Sequence, residues 1–92
     1  MTTREVMVVN QLGLHARAAA RFVGLATRFE SHIQVRRDAK VMDGKSIMGI
    51  LLLAAARGTT LTITAEGRDE TDAVDALARL VATGFGEESW NG

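Results

Sequence analysis

The sequence contains no cysteine, so it can form neither a disulfide nor a thiolate metal site. The absence of cysteine is also typical of a reducing compartment, and we expect a cytoplasmic protein. There are only two histidines, His15 and His32, and neither lies in a carboxylate pattern that would hold a metal ion. We therefore predict neither a metal site nor a bound cofactor.

Long apolar segments are missing as well. The longest run, from Ile47 to Ala56, is far shorter than the roughly 20 residues that a membrane-spanning helix needs. The N-terminus shows no basic region followed by an apolar one. The sequence therefore predicts a soluble, unprocessed protein without membrane insertion.

Charge of one sign is not in excess, because 11 basic residues balance 11 acidic residues. A neutral chain argues against general binding to nucleic acids or anionic membranes, so recognition is expected to be local. Aromatic residues make up only 4% of the chain, which speaks against the usual RNA-binding modes. No glycine-rich phosphate loop is present, and we expect no ATP binding by the chain itself.

The 92 residues are enough for one small domain with a single core, which we place at 1–92. Hydrophobic periodicity predicts strands over Arg4 to Val9, Ser31 to Arg36, Lys40 to Met42 and Thr59 to Glu66, and helices over Ala16 to Arg28, Ile47 to about Ala56 and Glu70 to about Thr83. Alternation in the last strand leaves one face of the sheet in water. The order β-α-β-β-α-β-α therefore predicts an α+β open-faced sandwich with its helices on one side.

The ends of the last helix are marked by residues that favour termination. Asp69 is expected to cap its start, and Gly84 is expected to stop it. The tail from Phe85 to Gly92 has no periodic pattern, and we assign no function to Trp90 within it.

A histidine and an arginine lie where the first helix is predicted to begin, in the run from Gly13 to Ala20. His15 is expected at the N-cap, where free backbone N–H groups and the helix dipole favour an anion. Arg17 adds a planar set of donors that suits phosphate or carboxylate. A neutral imidazole can accept a phosphoryl group covalently and pass it on. The alternative is that His15 only caps the helix while Arg17 is solvated.

The second helix is more apolar than one buried stripe requires. Some of its large side chains are therefore expected at the surface near His15, as an adaptable docking patch for several partners. The candidates are Ile47, Met48, Leu51 and Leu52, with Arg17, Arg21 and Lys45 as a charged rim. The alternative for each apolar residue is ordinary core packing. His32, on the outward face of a strand, is expected to be solvated.

Two separated motifs resemble the HPr family of histidine phosphocarriers in the phosphoenolpyruvate-dependent phosphotransferase system. They are Gly13-Leu14-His15-Ala16-Arg17-Ala18-Ala19 and Gly44-Lys45-Ser46-Ile47-Met48-Gly49-Ile50, and the resemblance covers nearly the whole chain. It implies a four-stranded antiparallel sheet in the order 1-4-2-3 under three helices. It also implies that enzyme I phosphorylates His15 on Nδ1 and that the group passes to a histidine of an enzyme IIA protein. The resemblance further implies that Arg17 stabilises the phosphate and that the chain is a monomeric carrier, not an enzyme.

One position departs from the pattern, because many members have proline where this chain has Ala18, and the chain contains no proline. Alanine also suits a helix start, so phosphotransfer is expected to persist. The alanine-rich run resembles the nitrogen-branch type, called NPr, which favours a regulatory phosphoprotein without sugar transport as an alternative. An unrelated α+β interaction module, such as an RNA binder, is the third reading.

Ser46 carries a second expectation. In part of the family the matching serine is phosphorylated by an ATP-dependent HPr kinase. A phosphate there would lie at a helix N-terminus beside Lys45, where the fold tolerates it. The alternative is that Ser46 is simply an N-cap.

Overall fold

The computed structural model describes residues 1–86. Its strands are β1 (Thr2–Met7), β2 (His32–Arg37), β3 (Lys40–Asp43) and β4 (Thr60–Glu66), and its helices are α1 (Ala16–Ala26), α2 (Ile47–Leu52) and α3 (Glu70–Ala82). The strands form one antiparallel sheet in the order β1-β4-β2-β3. The expected strand order is confirmed.

The alternation of side chains along β4 decides which face of the sheet is buried. Leu61, Ile63 and Ala65 are fully buried beneath the helices. Register places Ile63 opposite Val35 of β2, which is also fully buried. On the other face Thr64 lies open to solvent, with its hydroxyl 3.3 Å from that of a threonine on β1. The predicted open-faced sandwich is confirmed.

The helices cover the buried face and contribute to one core. Phe22 of α1, Ile50 of α2 and Leu77 of α3 each have an exposure of 1% or less. Small residues bring α1 close to its neighbours, since Ala18 and Ala19 are fully buried. Among residues 1–86 no helix has both the length and the hydropathy of a membrane span.

Helix α2 ends at Leu52, so the predicted end near Ala56 is wrong. The backbone of Ala54 has a φ of +50°, a left-handed conformation that stops the helix. Side chains from the β2–β3 hairpin then satisfy the last carbonyl groups. The Arg37 guanidinium donates to the Leu53 carbonyl at 2.8 Å, and the Lys40 ammonium donates to the Leu52 carbonyl at 3.4 Å. These are tertiary contacts that a local pattern does not contain.

Other boundaries differ from the prediction by one or two residues. Helix α1 ends at Ala26 instead of Arg28, with Thr27 as its C-cap. Strand β1 begins and ends two residues earlier than predicted, because pairing with β4 ends where Met7 faces Thr60.

The segment after α3 does not start as a pattern-free tail. Gly84 has a φ of +71° and ends the helix as predicted, but Phe85 is fully buried in the core, so assigning it to the tail is wrong. We call Gly84–Gly86 the C-terminal turn. Trp90 and the rest of 87–92 lie outside the described residues.

Asp69 occupies the N-cap position of α3, but its side chain makes no capping hydrogen bond. The carboxylate binds the segment before β2 instead. Glu70 fixes the turn before the helix, since its carboxylate accepts a hydrogen bond of 3.2 Å from the Gly67 N–H. The expected capping role of the Asp69 side chain is therefore wrong.

Candidate functional site

His15 occupies the N-cap of α1. Its backbone is extended, with φ −80° and ψ 178°, and its Nδ1 accepts a hydrogen bond of 3.3 Å from the Arg17 N–H. The His15 carbonyl accepts from the Ala19 N–H at 2.8 Å and so begins the helical ladder. Nδ1 of the His15 ring therefore faces the first turn of a helix.

The electrostatic setting of this nitrogen favours an anion. Backbone N–H groups at a helix start carry partial positive charge. The first turn of α1 contains no acidic residue to offset them, and the Arg17 side chain is exposed beside it. A phosphoryl group on Nδ1 would meet backbone donors and a guanidinium within one turn of helix.

The chain before His15 is fixed against the segment that follows α2. The Leu14 N–H donates to the Ala55 carbonyl at 2.9 Å. Gly13 has a φ of +67°, and a Cβ added there would lie 2.6 Å from the Ala55 carbonyl oxygen. Only glycine fits this close approach without a shift. The structural role of Gly13 is therefore tight packing against the segment after α2.

Helix α2 exposes several large apolar side chains. On α2 the exposed fractions are 45% for Ile47, 67% for Met48 and 55% for Leu52, and we call these three residues the docking patch. Leu51 is half-buried and packs against the core. Leu12, three residues before His15, is 64% exposed and was missed by the sequence reasoning, which considered only apolar residues in helices.

The predicted rim residues do not all lie near His15. The Arg21 guanidinium donates to the Phe85 carbonyl and so contacts the C-terminal turn. The Lys45 ammonium donates to the Phe29 carbonyl at 2.7 Å, beyond the C-terminal end of α1. Because α1 has 11 residues and is about 16 Å long, Lys45 is at the opposite end of this helix from His15.

Ser46 is the N-cap of α2, and its hydroxyl accepts a hydrogen bond of 3.0 Å from the Gly49 N–H. The two helices run in opposite directions, since Lys45 reaches the end of α1 while Ala55 contacts the residue before His15. Ser46 and His15 therefore lie at opposite ends of the α1–α2 pair.

His32 is exposed on the open face of the sheet, opposite Glu66 in the register. It lies on the face away from the helices and is not brought to His15. Its predicted solvation agrees with this position.

Comparisons with known proteins agree with these features. A family model described as PTS HPr component phosphorylation site matches residues 2–83. A phosphocarrier protein HPr from Pseudomonas putida is 48% identical over 88 residues, covering 95% of this chain and 98% of that protein. A crystal structure of HPr-C-His from Thermoanaerobacter tengcongensis has a TM-score of 0.92 and 44% identity, covering 96% of this chain and 99% of that one. A crystal structure of an HPr dimer from the same organism has a TM-score of 0.75 and 44% identity, covering 95% and 100%.

The match spans the His15 motif, the Ser46 motif and every strand and helix of the sandwich. This chain therefore belongs to the HPr family of phosphocarrier proteins in the phosphotransferase system.

Proposed function

We propose that His15 accepts a phosphoryl group from enzyme I, with phosphoenolpyruvate as the source, and passes it to a histidine of an enzyme IIA protein. The observation that carries the proposal is the hydrogen bond from the Arg17 N–H to Nδ1 of His15. This contact supports Nδ1 as the reacting nitrogen, because it places Nδ1 at the positive end of α1. The chain acts as a carrier with a covalent intermediate, not as an enzyme that releases a product.

The transfer step needs no bound metal or cofactor within this chain. The Nδ1 lone pair attacks phosphorus, a P–N bond forms, and the bond between phosphorus and the donor breaks. Backbone N–H groups of α1 and the Arg17 guanidinium stabilise the charge on the phosphoryl oxygens. The same P–N bond breaks when an acceptor histidine attacks.

Partner recognition in this proposal uses the docking patch on α2 together with the exposed Arg17 in the first turn of α1. Exposed Ile47, Met48 and Leu52 supply apolar contact, and the flexible Met48 side chain adapts to different partners. A small, transient interface suits a carrier that must release each partner. Lys45 lies two residues before Ile47, at the end of the patch farther from His15.

Incubation with enzyme I and radiolabelled phosphoenolpyruvate tests the transfer. We expect an acid-labile, alkali-stable phosphate on the wild type and on His32→Ala, and none on His15→Ala. Absence of label on the wild type, with an enzyme I that phosphorylates a known HPr, would overturn the proposal.

The alanine-rich start of α1 favours a second candidate, a regulatory phosphoprotein of the nitrogen branch. Ala18 is fully buried in the first turn, where many family members have proline. Phosphorylated protein should then transfer its label to a nitrogen-type IIA protein and not to a sugar-type one. Faster transfer to the sugar-type protein would select the first candidate.

Phosphorylation of Ser46 by an HPr kinase is a separate proposal. The Ser46 hydroxyl is half-buried and already accepts the Gly49 N–H, so a phosphate would replace this N-cap interaction with a charged one. Labelling from ATP should appear on the wild type and disappear in Ser46→Ala. Equal labelling of both proteins would show that the kinase does not phosphorylate Ser46.

We further propose one domain over 1–92 and a monomer that works in the cytoplasm. The known dimer of a 44% identical relative makes oligomeric state the point to measure. Light scattering across a concentration series should give a mass near 9.9 kDa. A mass near twice that value at low concentration would contradict the monomer.

A further inference from the structure

Asn10 is a buried polar residue in the loop that leads to the site. It has an exposure of 7%, and its Nδ2 donates a hydrogen bond of 2.8 Å to the Gly13 carbonyl. In return, the Gly13 N–H donates to the Asn10 carbonyl at 3.2 Å. These two bonds close the chain into a short loop that we call the Asn10–Gly13 turn.

The turn is joined directly to His15. The Gly13 carbonyl that receives the Asn10 side chain also accepts the His15 N–H at 2.9 Å. One carbonyl oxygen therefore holds both the asparagine amide and the backbone of the histidine. Because Leu14 is bonded to Ala55 on one side, the peptide groups on either side of His15 have little freedom.

The C-terminal turn packs against the outer side of Asn10. A Cβ added to Gly84 would lie 3.5 Å from Cβ of Asn10, in van der Waals contact. The Arg21 guanidinium of α1 holds this turn through the Phe85 carbonyl. Asn10 is thus enclosed between the C-terminal turn and Gly13, and α1 is tied to both.

We propose that Asn10 is a positioning residue for phosphoryl transfer, acting through the Gly13 carbonyl to hold His15 with Nδ1 directed at the start of α1. This inference rests on the proposed phosphocarrier function. Without the amide donor, the Gly13 carbonyl can rotate, and the His15 ring no longer keeps its 3.3 Å contact with the Arg17 N–H. A reacting atom displaced by about 1 Å can lose up to roughly a hundredfold in rate.

The decisive variant is Asn10→Asp, which keeps the side-chain shape but replaces the donor with a carboxylate that cannot donate to Gly13. Asn10→Ser is the conservative partner, because its hydroxyl can still donate. Ser31→Ala serves as the matched control, since it removes a buried hydrogen bond at the far end of the molecule from His15. Circular dichroism would first establish that all three proteins are folded at the assay temperature.

Two measurements test the role. The first is kcat for phosphorylation by enzyme I at saturating carrier concentration, which we expect to fall at least about tenfold in Asn10→Asp and less in Asn10→Ser. The second is 15N NMR of the His15 ring, which reports whether Nδ1 still acts as the acceptor. Asn10→Asp should show a mixture of ring states at a pH where the wild type shows one, while Ser31→Ala matches the wild type in both measurements.

Wild-type kcat and wild-type ring signals in a folded Asn10→Asp protein would overturn the inference. An equal loss of kcat in Ser31→Ala would also overturn it, because the effect would then follow stability alone. Failure of enzyme I to label the wild type would instead contradict the proposed function. The NMR comparison does not depend on enzyme I, so it still decides whether Asn10 positions the ring.

Discussion

The Ser31 hydroxyl donates a hydrogen bond of 2.5 Å to the carboxylate of Asp69 and so joins the segment before β2 to the N-cap residue of α3. The same carboxylate accepts the Ser31 N–H at 3.0 Å and the Glu30 N–H at 2.9 Å. Ser31 is 1% exposed, and a Cβ on Gly67 would lie 2.7 Å from its hydroxyl oxygen. Asp69 therefore fixes the far end of the molecule, opposite the His15 site.

Removing this hydroxyl should weaken the fold without changing the site. Ser31→Ala loses a charge-assisted hydrogen bond from a buried donor, and we expect its Tm to fall by about 5 °C. Thermal unfolding followed by circular dichroism measures the change. Thr27→Ala, which loses an exposed hydroxyl bond to the Gly24 carbonyl, is the control and should lose much less. Equal Tm values for Ser31→Ala and the wild type would contradict the structural role of the bond.

The stability that Ser31 and Asp69 contribute should depend on pH in a defined direction. The Ser31 hydroxyl, followed by the Glu30 N–H, lowers the pKa of Asp69 from its ordinary value of 3.8. A carboxyl whose pKa is lower in the folded state binds protons less readily there, so folding is favoured wherever the group is ionised. The contribution is fully present above pH 3.8 and is lost as the pH falls through the folded-state pKa.

Urea unfolding at several pH values checks this prediction. The difference in unfolding free energy between wild type and Asp69→Asn should be constant from pH 7 to about pH 5 and should shrink below the ordinary carboxyl pKa of 3.8. A difference that grows on acidification would show that Asp69 destabilises the fold when ionised.

The sequence predicted those features that depend on local pattern. Alternation in β4 identified Leu61, Ile63 and Ala65 as core, and Gly13 before an alanine run placed the start of α1 at Ala16. The role of the Asp69 side chain could not be predicted in this way. An aspartate can cap a helix, or it can accept hydrogen bonds from a segment that is distant in sequence. The burial of Phe85 could not be predicted from the sequence either, because it depends on how one turn folds back from α3 onto the core.

In the candidate site, too, local sequence predicts some features and tertiary contacts decide the others. The His15 N-cap follows from neighbouring residues, whereas the positions of Arg21 and Lys45 do not. Each of their side chains binds a backbone carbonyl that is distant in sequence, at Phe85 and Phe29. Long cationic side chains have many rotamers, and only the folded chain selects among them.

Gly13→Ala should destabilise the protein more than the replacement of another glycine that also has a positive φ. The new Cβ would lie 2.6 Å from the Ala55 carbonyl oxygen, and the residue would also keep an unfavourable φ of +67°. Gly58→Ala is the matched control, because Gly58 has a φ of +92° but no heavy atom within 4 Å of an added Cβ. We expect the free energy of unfolding to fall by about 1 kcal/mol in Gly58→Ala and by at least about 2 kcal/mol in Gly13→Ala. Urea denaturation compares them, and equal losses would show that the contact with Ala55 is unimportant.

Arg17→Ala should slow phosphorylation of His15 while leaving the fold intact. In the proposed transfer step the exposed guanidinium stabilises the phosphoryl oxygens, so its loss should reduce the rate at least about tenfold. Arg17→Lys keeps the charge but not the planar donors and should retain an intermediate rate. Arg28→Ala, an exposed cation beyond the end of α1, is the control for net charge and should behave as wild type. Equal reductions in Arg17→Ala and Arg28→Ala would point to general charge instead of a local contact.

Met48→Lys should weaken binding to enzyme I, because a charge then replaces the most exposed residue of the docking patch, at 67%. Truncation or polar replacement at the centre of an interface often raises Kd about tenfold or more. Val41→Lys is the matched control, since Val41 is also an exposed apolar residue, at 48%, but lies on the open face of the sheet with Arg36 opposite it. Calorimetric titration of enzyme I with each protein gives the two Kd values, and unfolding curves show whether either variant is destabilised. If docking uses α2, Kd rises for Met48→Lys and stays near the wild-type value for Val41→Lys. The opposite order would place the interface on the open face of the sheet instead of on α2.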